Sequence, residues 1–244
     1  MTASRQGAHF IKQFALALRL PARSTYYICR MKNIAPTFIA SIILLSLLSC
    51  SAQTKKKSAD TKINLTPPTG KAIAAFAEGC FWCSEHIFEV VVGVDSAVSG
   101  YAGGNVPNPT YELVNTETTG HAESVLIYYD PTLVSYAELL NVFFTSHDPT
   151  TPNRQGPDRG SSYRSIIFYR TPEEKALAEQ AKINFAKSFK DPIVSEIKLM
   201  NEFYKAEDYH QDYIEHNPYS AYVVGVSIPR FQLFKKTYKG KLKQ

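Results

Sequence analysis

The stretch AIAAFAEGCFWCSEHIFEVV, residues 72–91, joins two different patterns. Its first eight residues form a short apolar run typical of a buried strand, and the part from Phe81 onward has a helical pattern. Cys80 and Cys83 lie at the junction, on either side of Phe81 and Trp82, the only tryptophan in the chain. We therefore predict a strand that leads directly into a helix, with a thiol at the start of that helix.

The chain outside this stretch alternates short apolar runs with helical patterns. Further strands are predicted at DSAVSGYAGG (95–104), ESVLIYYD (123–130), SIIFYR (165–170) and IVSEIKLM (193–200). Helices are predicted at SYAELLNVFFTSH (135–147), where Ser135 and Glu138 form a capping box, after Thr171-Pro172, and at AEDYHQDYIEH (206–216). These elements predict an α+β fold in which helices pack on one mixed sheet.

The net charge of +5 does not indicate a nucleic-acid-binding surface. Residues 1–50 contain six basic side chains and no acidic one, so the remaining 21 basic and 22 acidic side chains nearly cancel. The positive excess therefore lies outside the predicted folded domain, and we expect no nucleic-acid partner.

Residues 31–50, MKNIAPTFIASIILLSLLSC, have the pattern of an export signal that starts at Met31. The apolar run at 34–48 is shorter than the roughly 20 residues of a membrane-spanning helix. Leu47-Leu48-Ser49-Cys50 resembles the lipobox of bacterial lipoproteins, in which the cysteine is lipidated. We expect residues 1–50 to be an upstream extension and lipoprotein-type signal, and the protein to be periplasmic or in the envelope, anchored to a membrane through Cys50.

Residues 51–70 are polar and lysine-rich, and end in Pro-Pro-Thr-Gly. Such a composition cannot bury enough apolar surface to fold, so it predicts a flexible linker. The catalytic domain is then expected to span residues 71–244.

The spacing of Cys80 and Cys83 allows several kinds of site. Backbone N–H groups at a helix start favour a thiolate, and a cysteine three residues further on can form a disulfide with it. Two buried structural cysteines remain an alternative, as does zinc, although a structural zinc site needs four ligands and the domain has no second CxxC. A thioredoxin-like disulfide oxidoreductase would also place CxxC at such a junction. Phe81 and Trp82 favour a pocket for a small substituent such as a methyl group.

Several motifs together resemble the A class of peptide methionine sulfoxide reductases. They cover about residues 73–218 in the family's order: GCFWC, GYAGG, NPTYELV, TGHAE, YDP, HDPT, RQGPDRGSSYRS, FYKAEDYHQDY and NP. The resemblance implies a two-layer α/β sandwich with a ferredoxin-like core, and reduction of the S epimer of methionine sulfoxide, free or in proteins. Each sulfoxide epimer has its own enzyme.

The resemblance also implies roles for the residues at the CxxC motif. Cys80 corresponds to the nucleophile that attacks the sulfoxide sulfur, and Glu123 of TGHAE to the acid that protonates the sulfoxide oxygen. Phe81 and Trp82 correspond to the wall that holds the substrate methyl group. The chemistry needs such an acid, because the oxygen leaves poorly unless it is protonated, and burial is what keeps a carboxyl group protonated.

The remaining predicted substrate-binding residues also come from the motifs. Tyr111 of NPTY and Tyr163 of GSSY correspond to hydroxyl donors near the sulfoxide oxygen, and Asp158 of GPDRG to a polar group that organises the site. Tyr213 of YHQDY is added to this set. His210, beside it, is expected to pack and not to catalyse.

The chain departs from the commoner family pattern in its second cysteine. Many members have glycine where this chain has Cys83, and carry their resolving cysteines in a C-terminal tail, which here contains none. Cys83 is then the only candidate to resolve the sulfenic acid on Cys80. We expect a thioredoxin-like reductant, no metal, no organic cofactor and a monomer.

Overall fold

The structure is a computed structural model that describes residues 61–244. The predicted signal, Cys50 and the first ten residues of the predicted linker lie outside the described residues. None of the helices within residues 61–244 is both long and apolar enough to cross a bilayer.

The described part of the chain contains eight strands. They are β1 Ala72–Glu78, β2 Val94–Ala102, β3 Ala122–Tyr129, β4 Arg154–Gln155, β5 Asp158–Arg159, β6 Ser165–Tyr169, β7 Glu196–Leu199 and β8 Phe203–Lys205. Six of them form one sheet in the order β7-β6-β1-β3-β2-β8, and β4 pairs with β5 in a hairpin. The sheet is mixed, since β6 and β7 are parallel and the other neighbours antiparallel. The predicted α+β fold with a mixed sheet is confirmed.

Six α-helices accompany the sheet in this part of the chain. They are α1 Phe81–Glu89, α2 Tyr111–Val114, α3 Tyr136–Ser146, α4 Pro172–Ala186, α5 Tyr213–His216 and α6 Ile228–Thr237. Two predicted N-caps are present: Ser135 Oγ accepts from the backbone of Glu138, and Thr171 Oγ1 from that of Glu174. Each cap satisfies a backbone N–H that the first helical turn leaves without a partner.

β1 is a central strand with apolar residues on both faces, as its uninterrupted apolar sequence predicts. Ala74 and Phe76 join the main core, where Phe76 packs against Phe88 of α1 and Phe143 of α3. Ile73, with other small and branched residues, joins a second core on the opposite face. The buried position of β1 fixes where the chain emerges at Gly79 and Cys80.

Residues 206–216 do not form the single helix that the sequence predicts. A 3₁₀ turn at Asp208–His210 is separated from α5 by Asp212, whose φ of 51° is left-handed and cannot continue a helix. The break is stabilised by tertiary contacts, since the backbone N–H of Asp212 donates to Glu85 Oε2 at 3.0 Å and Gln211 Oε1 accepts from the backbone of Ser99 at 3.0 Å. Local helical propensity is weaker than such contacts.

The end of the predicted linker that the structure describes lies along the sheet edge. Lys62 forms a bridge with Tyr204, and the backbone N–H of Ile63 donates to Phe203 O at 2.8 Å. Ile63 and Leu65 pack against the second core. The folded domain therefore begins by Lys62, nine residues before Lys71, because Ile63 and Leu65, the apolar side chains of an otherwise polar stretch, pack at the sheet edge.

Candidate active site

The strand-to-helix junction depends on Gly79. Its φ of +90° is rarely adopted by side-chain-bearing residues, and a Cβ there would lie 2.4 Å from Gln155 Cβ. The turn places Cys80 at the N-cap of α1, where its carbonyl oxygen accepts from the backbone of Cys83 at 3.2 Å and of Ser84 at 3.3 Å. Cys80 is 5% exposed and Cys83 2% exposed, and both are free thiols.

A cavity of about 330 Å³ opens beside Cys80. It is lined by eight of the nine residues that the sequence places in the site: Cys80, Phe81, Trp82, Tyr111, Glu123, Asp158, Tyr163 and Tyr213. Ser220 and Tyr222 complete its wall. The ninth residue, Cys83, lines a different cavity.

Glu123 is the buried carboxyl group of this cavity. It is 2% exposed on β3, and its Oε2 accepts from the backbone N–H of Phe81, the first of α1, at 3.0 Å. Burial raises the pKa of Glu123 to about 8, against the opposing effect of the Phe81 hydrogen bond. The carboxyl group is therefore largely protonated at neutral pH, as a proton donor must be.

Aromatic rings also line this cavity. Trp82 stacks on Tyr213 with ring centroids 3.6 Å apart and an angle of 7°, and lies edge-on to Tyr222. Trp82 Nε1 donates to His210 Nδ1 at 3.0 Å, and burial lowers the pKa of His210. A neutral His210 thus orients the indole, which agrees with the packing role expected for it. The wall presents an apolar face of fixed orientation.

Tyr111 and Tyr163 each belong to a short helical turn that other side chains hold in place. Thr110 caps α2, and the backbone N–H of Tyr111 donates to Glu207 Oε1 at 3.0 Å. The 3₁₀ turn Ser161–Tyr163 is anchored by Glu117, whose carboxylate accepts from Ser161 Oγ at 2.6 Å and Ser162 Oγ at 2.7 Å.

Asp158, on the β4–β5 hairpin, accepts from the Tyr222 hydroxyl at 2.5 Å. Burial raises the pKa of Asp158, and the hydrogen bond from Tyr222 opposes that effect. Both residues line the substrate-sized cavity and also a larger one. Their hydrogen bond therefore forms part of the partition between the two cavities.

The larger cavity, about 840 Å³, is lined by Cys83 and by Arg230 of α6. The Cys83 thiol donates to Ser227 Oγ at 3.2 Å. Arg230 donates from Nη2 to Glu78 Oε1 at 2.7 Å and from Nε to the carbonyl oxygen of Ser146 at 2.8 Å. The two thiols of the CxxC motif thus have different surroundings: aromatic and carboxylic for Cys80, hydroxylic and cationic for Cys83.

The expected lowering of the Cys80 pKa is wrong for the substrate-free dithiol. Burial raises the pKa of Cys80, and the hydrogen bond with Cys83 acts in the same direction, while Tyr222 opposes them. The hydrogen bond with Cys80 lowers the pKa of Cys83 to about 6, with help from Arg230 and Ser227 and against burial. The helix start does not outweigh these effects, and Cys83 is the more acidic thiol of the substrate-free pair.

Sequence reasoning missed four residues around the dithiol. Tyr222 is one of 15 tyrosines and stands outside the quoted motifs. Ser227 and Arg230 lie in the C-terminal segment, whose structure the sequence analysis left without a prediction, and Glu78 was part of a predicted strand. A charged residue at the end of an otherwise apolar strand was the available signal for Glu78, because such a group is buried only with a partner.

Within residues 61–244, no cluster of three or more His, Cys, Asp or Glu side chains could hold a metal ion. A buried dithiol beside a small aromatic cavity with a protonated carboxyl group instead defines a thiol-dependent reductase of a small oxidised group.

Comparison with known proteins gives that class a family. The sequence model of the family described as peptide methionine sulfoxide reductase matches residues 72–242. The chain is 49% identical over 164 residues to a peptide methionine sulfoxide reductase MsrA of Leptospira borgpetersenii serovar Hardjo-bovis, which covers 67% of this chain and 93% of that one.

Solved structures agree. The reduced form of Mxr1 from Saccharomyces cerevisiae is similar with a TM-score of 0.61 and 31% identity, covering 66% of this chain and 92% of that one. Methionine sulfoxide reductase A of Corynebacterium diphtheriae is similar with a TM-score of 0.58 and 35% identity, covering 64% of this chain and 79% of that one.

The chain therefore belongs to the peptide methionine sulfoxide reductase family, in its A class, and its activity is the reduction of methionine sulfoxide to methionine. The alternative of a thioredoxin-like disulfide oxidoreductase is not favoured, since the family match spans residues 72–242 and not the CxxC motif alone.

Proposed function

We propose that Cys80 and Glu123 carry out the reduction together, Cys80 as nucleophile and Glu123 as proton donor. The observation that supports this most strongly is that the thiol and a buried, largely protonated carboxyl group line the same cavity, at the first turn of α1. An acid and a nucleophile on one small cavity can act on the two atoms of one S–O bond.

The proposed first step forms a bond from Cys80 Sγ to the sulfoxide sulfur while Glu123 protonates the sulfoxide oxygen. The Cys80 thiol gives its proton to the Cys83 thiolate as it attacks. The S–O bond and the transient bond between Cys80 Sγ and the substrate sulfur then break as the protonated oxygen is transferred to Cys80, which leaves methionine and a sulfenic acid on Cys80. The sulfoxide sulfur is reduced by two electrons and the Cys80 sulfur is oxidised by two. Tyr111 and Tyr163 line the cavity as hydroxyl donors to the oxygen, and Asp158 orders Tyr222.

The proposed substrate is the S epimer, with its methyl group against Phe81 and Trp82. The indole is fixed by its stack on Tyr213, so the apolar face has one orientation. Because the carboxyl group and the apolar wall are distinct sides of the cavity, exchange of oxygen and methyl at sulfur would direct the oxygen to the wrong side. The R epimer is then a poor substrate.

The proposed second step uses Cys83. Its thiol attacks the Cys80 sulfenic acid, a disulfide forms and water leaves. A thioredoxin-like dithiol then reduces the disulfide, restoring both thiols while the donor becomes a disulfide.

The test is a steady-state assay with a peptide that contains methionine sulfoxide, supplied as separated epimers with dithiothreitol. We expect turnover of the S epimer and loss of even a single turnover in Cys80→Ser, because a hydroxyl group is a much poorer nucleophile. Activity on the R epimer at a comparable rate, or turnover by Cys80→Ser, would contradict the proposal.

We also propose export, with lipidation of Cys50 and a monomeric domain held in the envelope. The support is the Leu-Leu-Ser-Cys sequence after a short apolar run. Cys50→Ala should move the protein from the membrane fraction to the soluble fraction. A wild-type protein whose intact mass and fractionation show no lipid would overturn the anchor, and a dimer in size-exclusion chromatography would overturn the monomer.

A further inference from the structure

We propose that Arg230 is a positioning residue for regeneration: it makes Cys83 the leaving thiolate when the Cys80–Cys83 disulfide is reduced, so that the donor thiol attacks Cys80. The inference rests on the proposed disulfide between these two cysteines. It goes beyond the sulfoxide chemistry, because Arg230 is not among the residues that line the substrate cavity.

The geometry begins with the segment that carries Arg230. A π-helical turn at Val223–Ser227 continues directly into α6. Ser227 and Arg230 are three residues apart on this continuous segment and therefore share one face. Ser227 Oγ is 3.2 Å from Cys83 Sγ, and the Arg230 guanidinium lies 3.8 Å from the position of a Cβ on Gly79. One face of this helical segment thus places a hydroxyl group and a cation next to the strand-to-helix junction that carries both thiols.

The guanidinium is fixed in that place by two hydrogen-bonding partners of different kinds, a carboxyl group and a backbone carbonyl group. Glu78, which is 0% exposed, binds Nη2, and the carbonyl oxygen of Ser146 binds Nε. Ser146 Oγ donates to Glu78 Oε2 at 2.7 Å, so the carboxyl group is itself held. A buried charge with such partners keeps its orientation while the dithiol changes state.

This arrangement treats the two sulfurs differently. The positive charge of Arg230 and the Ser227 hydroxyl lie beside Cys83 and favour a thiolate there; in the free dithiol both lower the pKa of Cys83, although the hydrogen bond with Cys80 has the larger effect. Cys80 lies on the side of the buried carboxyl group, and burial raises its pKa. In thiol–disulfide exchange the sulfur with the lower thiol pKa leaves faster. Attack on Cys80 with departure of Cys83 is therefore the favoured direction.

The exchange balances in two steps. The donor thiolate forms a bond with Cys80 Sγ as the Cys80–Cys83 bond breaks, and Cys83 leaves as a thiolate that Ser227 and Arg230 stabilise. The second donor thiolate then attacks the donor sulfur of the mixed disulfide, which releases Cys80. The donor is oxidised to a disulfide by two electrons, and Cys80 and Cys83 are reduced by the same two electrons.

The mixed disulfide can be located directly. Cleavage after Glu78 and Glu85 gives the peptide 79–85, GCFWCSE, in which fragmentation between Phe81 and Trp82 separates the two cysteines. The preformed Cys80–Cys83 disulfide is mixed with thioredoxin whose second active-site cysteine is serine, then quenched in acid, and free thiols are alkylated. We expect thioredoxin on Cys80 and the alkyl group on Cys83. Thioredoxin on Cys83, reached through the larger cavity, would overturn the proposal.

Variants of Arg230 test the cause of this preference. Arg230→Met keeps most of the side-chain length without charge and should slow reduction of the preformed disulfide roughly tenfold, and increase the share of thioredoxin on Cys83. Arg230→Lys should restore much of the reduction rate and much of the preference for thioredoxin on Cys80. Arg170→Met is the matched control, since Arg170 binds the carbonyl oxygen of Leu65 at the sheet edge. Unchanged rate and unchanged labelling in Arg230→Met would overturn the proposal.

A gentler change covers the case in which Arg230→Met does not fold, since loss of one partner of a buried ion pair is strongly destabilising. Ser227→Ala removes only a hydroxyl group and should slow the same reaction a few-fold with the same shift in labelling. Failure of the proposed function looks different: no Cys80–Cys83 disulfide would form after one turnover, whatever residue occupies position 230.

Discussion

Two buried glutamates lie near the two thiols, and their surroundings give them different roles. Glu78 ends β1 and binds the Arg230 guanidinium, whereas Glu123 on β3 accepts a single backbone N–H. Burial raises both pKa values, to about 7 for Glu78, where Arg230 opposes the effect, and to about 8 for Glu123, where Phe81 opposes it. The same residue type is thus an anchor for a cation in one place and a proton donor in the other.

The difference also separates the two halves of the proposed cycle. Glu123 lines the cavity in which the sulfoxide is reduced, and Glu78 holds the arginine beside the sulfur that leaves during regeneration. A carboxyl group stays protonated where nearby positive charge is absent, whereas a thiolate is stabilised by positive charge. The two requirements are met in separate cavities, that of Glu123 and that of Arg230.

The largest expected effect is that of Glu123→Gln on the first turnover. Gln keeps the shape and can accept the Phe81 hydrogen bond but has no acidic proton, so the chemical step should slow by roughly 10²- to 10⁴-fold. Rapid-quench measurement of methionine formed per enzyme checks this. Glu78→Gln should slow the same step far less. A single-turnover rate of Glu123→Gln within about a factor of two of wild type would contradict the role of Glu123 as proton donor, and with it the contrast to Glu78.

The two substitutions should also differ in how they change the pH dependence of stability. A carboxyl group whose pKa is raised by folding stabilises the protein below its unfolded pKa, and this stability is lost as pH rises toward the folded pKa, which is about 8 for Glu123 and about 7 for Glu78. Relative to wild type, Glu123→Gln should therefore gain about 2 to 4 kcal/mol between pH 5 and pH 8, and Glu78→Gln should gain less, about 1 to 3 kcal/mol. Glu78→Gln should in addition be less stable than wild type at pH 8, because Arg230 is left buried without its anion. Urea unfolding at the two pH values measures both effects, and a larger pH-dependent gain in Glu78→Gln than in Glu123→Gln would contradict the comparison.

A smaller effect is expected in the pH dependence of the first turnover. The rate requires protonated Glu123, so it should fall about tenfold per pH unit above roughly pH 8. Glu78→Gln should retain this decrease in rate above pH 8, and Glu123→Gln should not show it. A decrease that persists in Glu123→Gln would show that another group titrates.

The smallest expected effect concerns the aromatic wall, which belongs to the Glu123 side. Tyr213→Ala removes the stack on Trp82 and should raise the KM for the sulfoxide by roughly 2- to 12-fold, the equivalent of an aromatic pair. Tyr213→Phe keeps the ring and serves as the control. Reduction of the preformed disulfide should not change in either variant, and a matching loss there would show that the wall serves both halves of the cycle.

Features of the fold and the site that neighbouring residues determine were predictable from the sequence, and features that depend on residues far apart in the chain were not. The strand and helix around Cys80 follow from local pattern and from Gly79, and the substrate-sized cavity contains the residues that the motifs indicate. Residues 206–216 were mispredicted because Asp212 takes its conformation from Glu85, 127 positions away in sequence.

The charge on the thiols was mispredicted for a related reason. The helix start is a local feature and favours a thiolate on Cys80, but burial and the hydrogen bond with Cys83 act against it. Arg230, which lies 147 or more residues along the chain, adds to the lowering of the Cys83 pKa. The depth of burial and the place of Arg230 depend on long-range packing, which also brings Tyr222 and Ser227 to the site.

The division of labour between Cys80 and Cys83 is tested most directly in Cys83→Ser. One equivalent of methionine sulfoxide peptide is added in the presence of dimedone, and the peptide 79–85 is analysed by mass spectrometry. The account predicts one methionine per enzyme, dimedone on Cys80, and no sustained turnover with thioredoxin. Full thioredoxin-dependent turnover by Cys83→Ser would show that the donor reduces Cys80 without an internal partner, and would contradict the account.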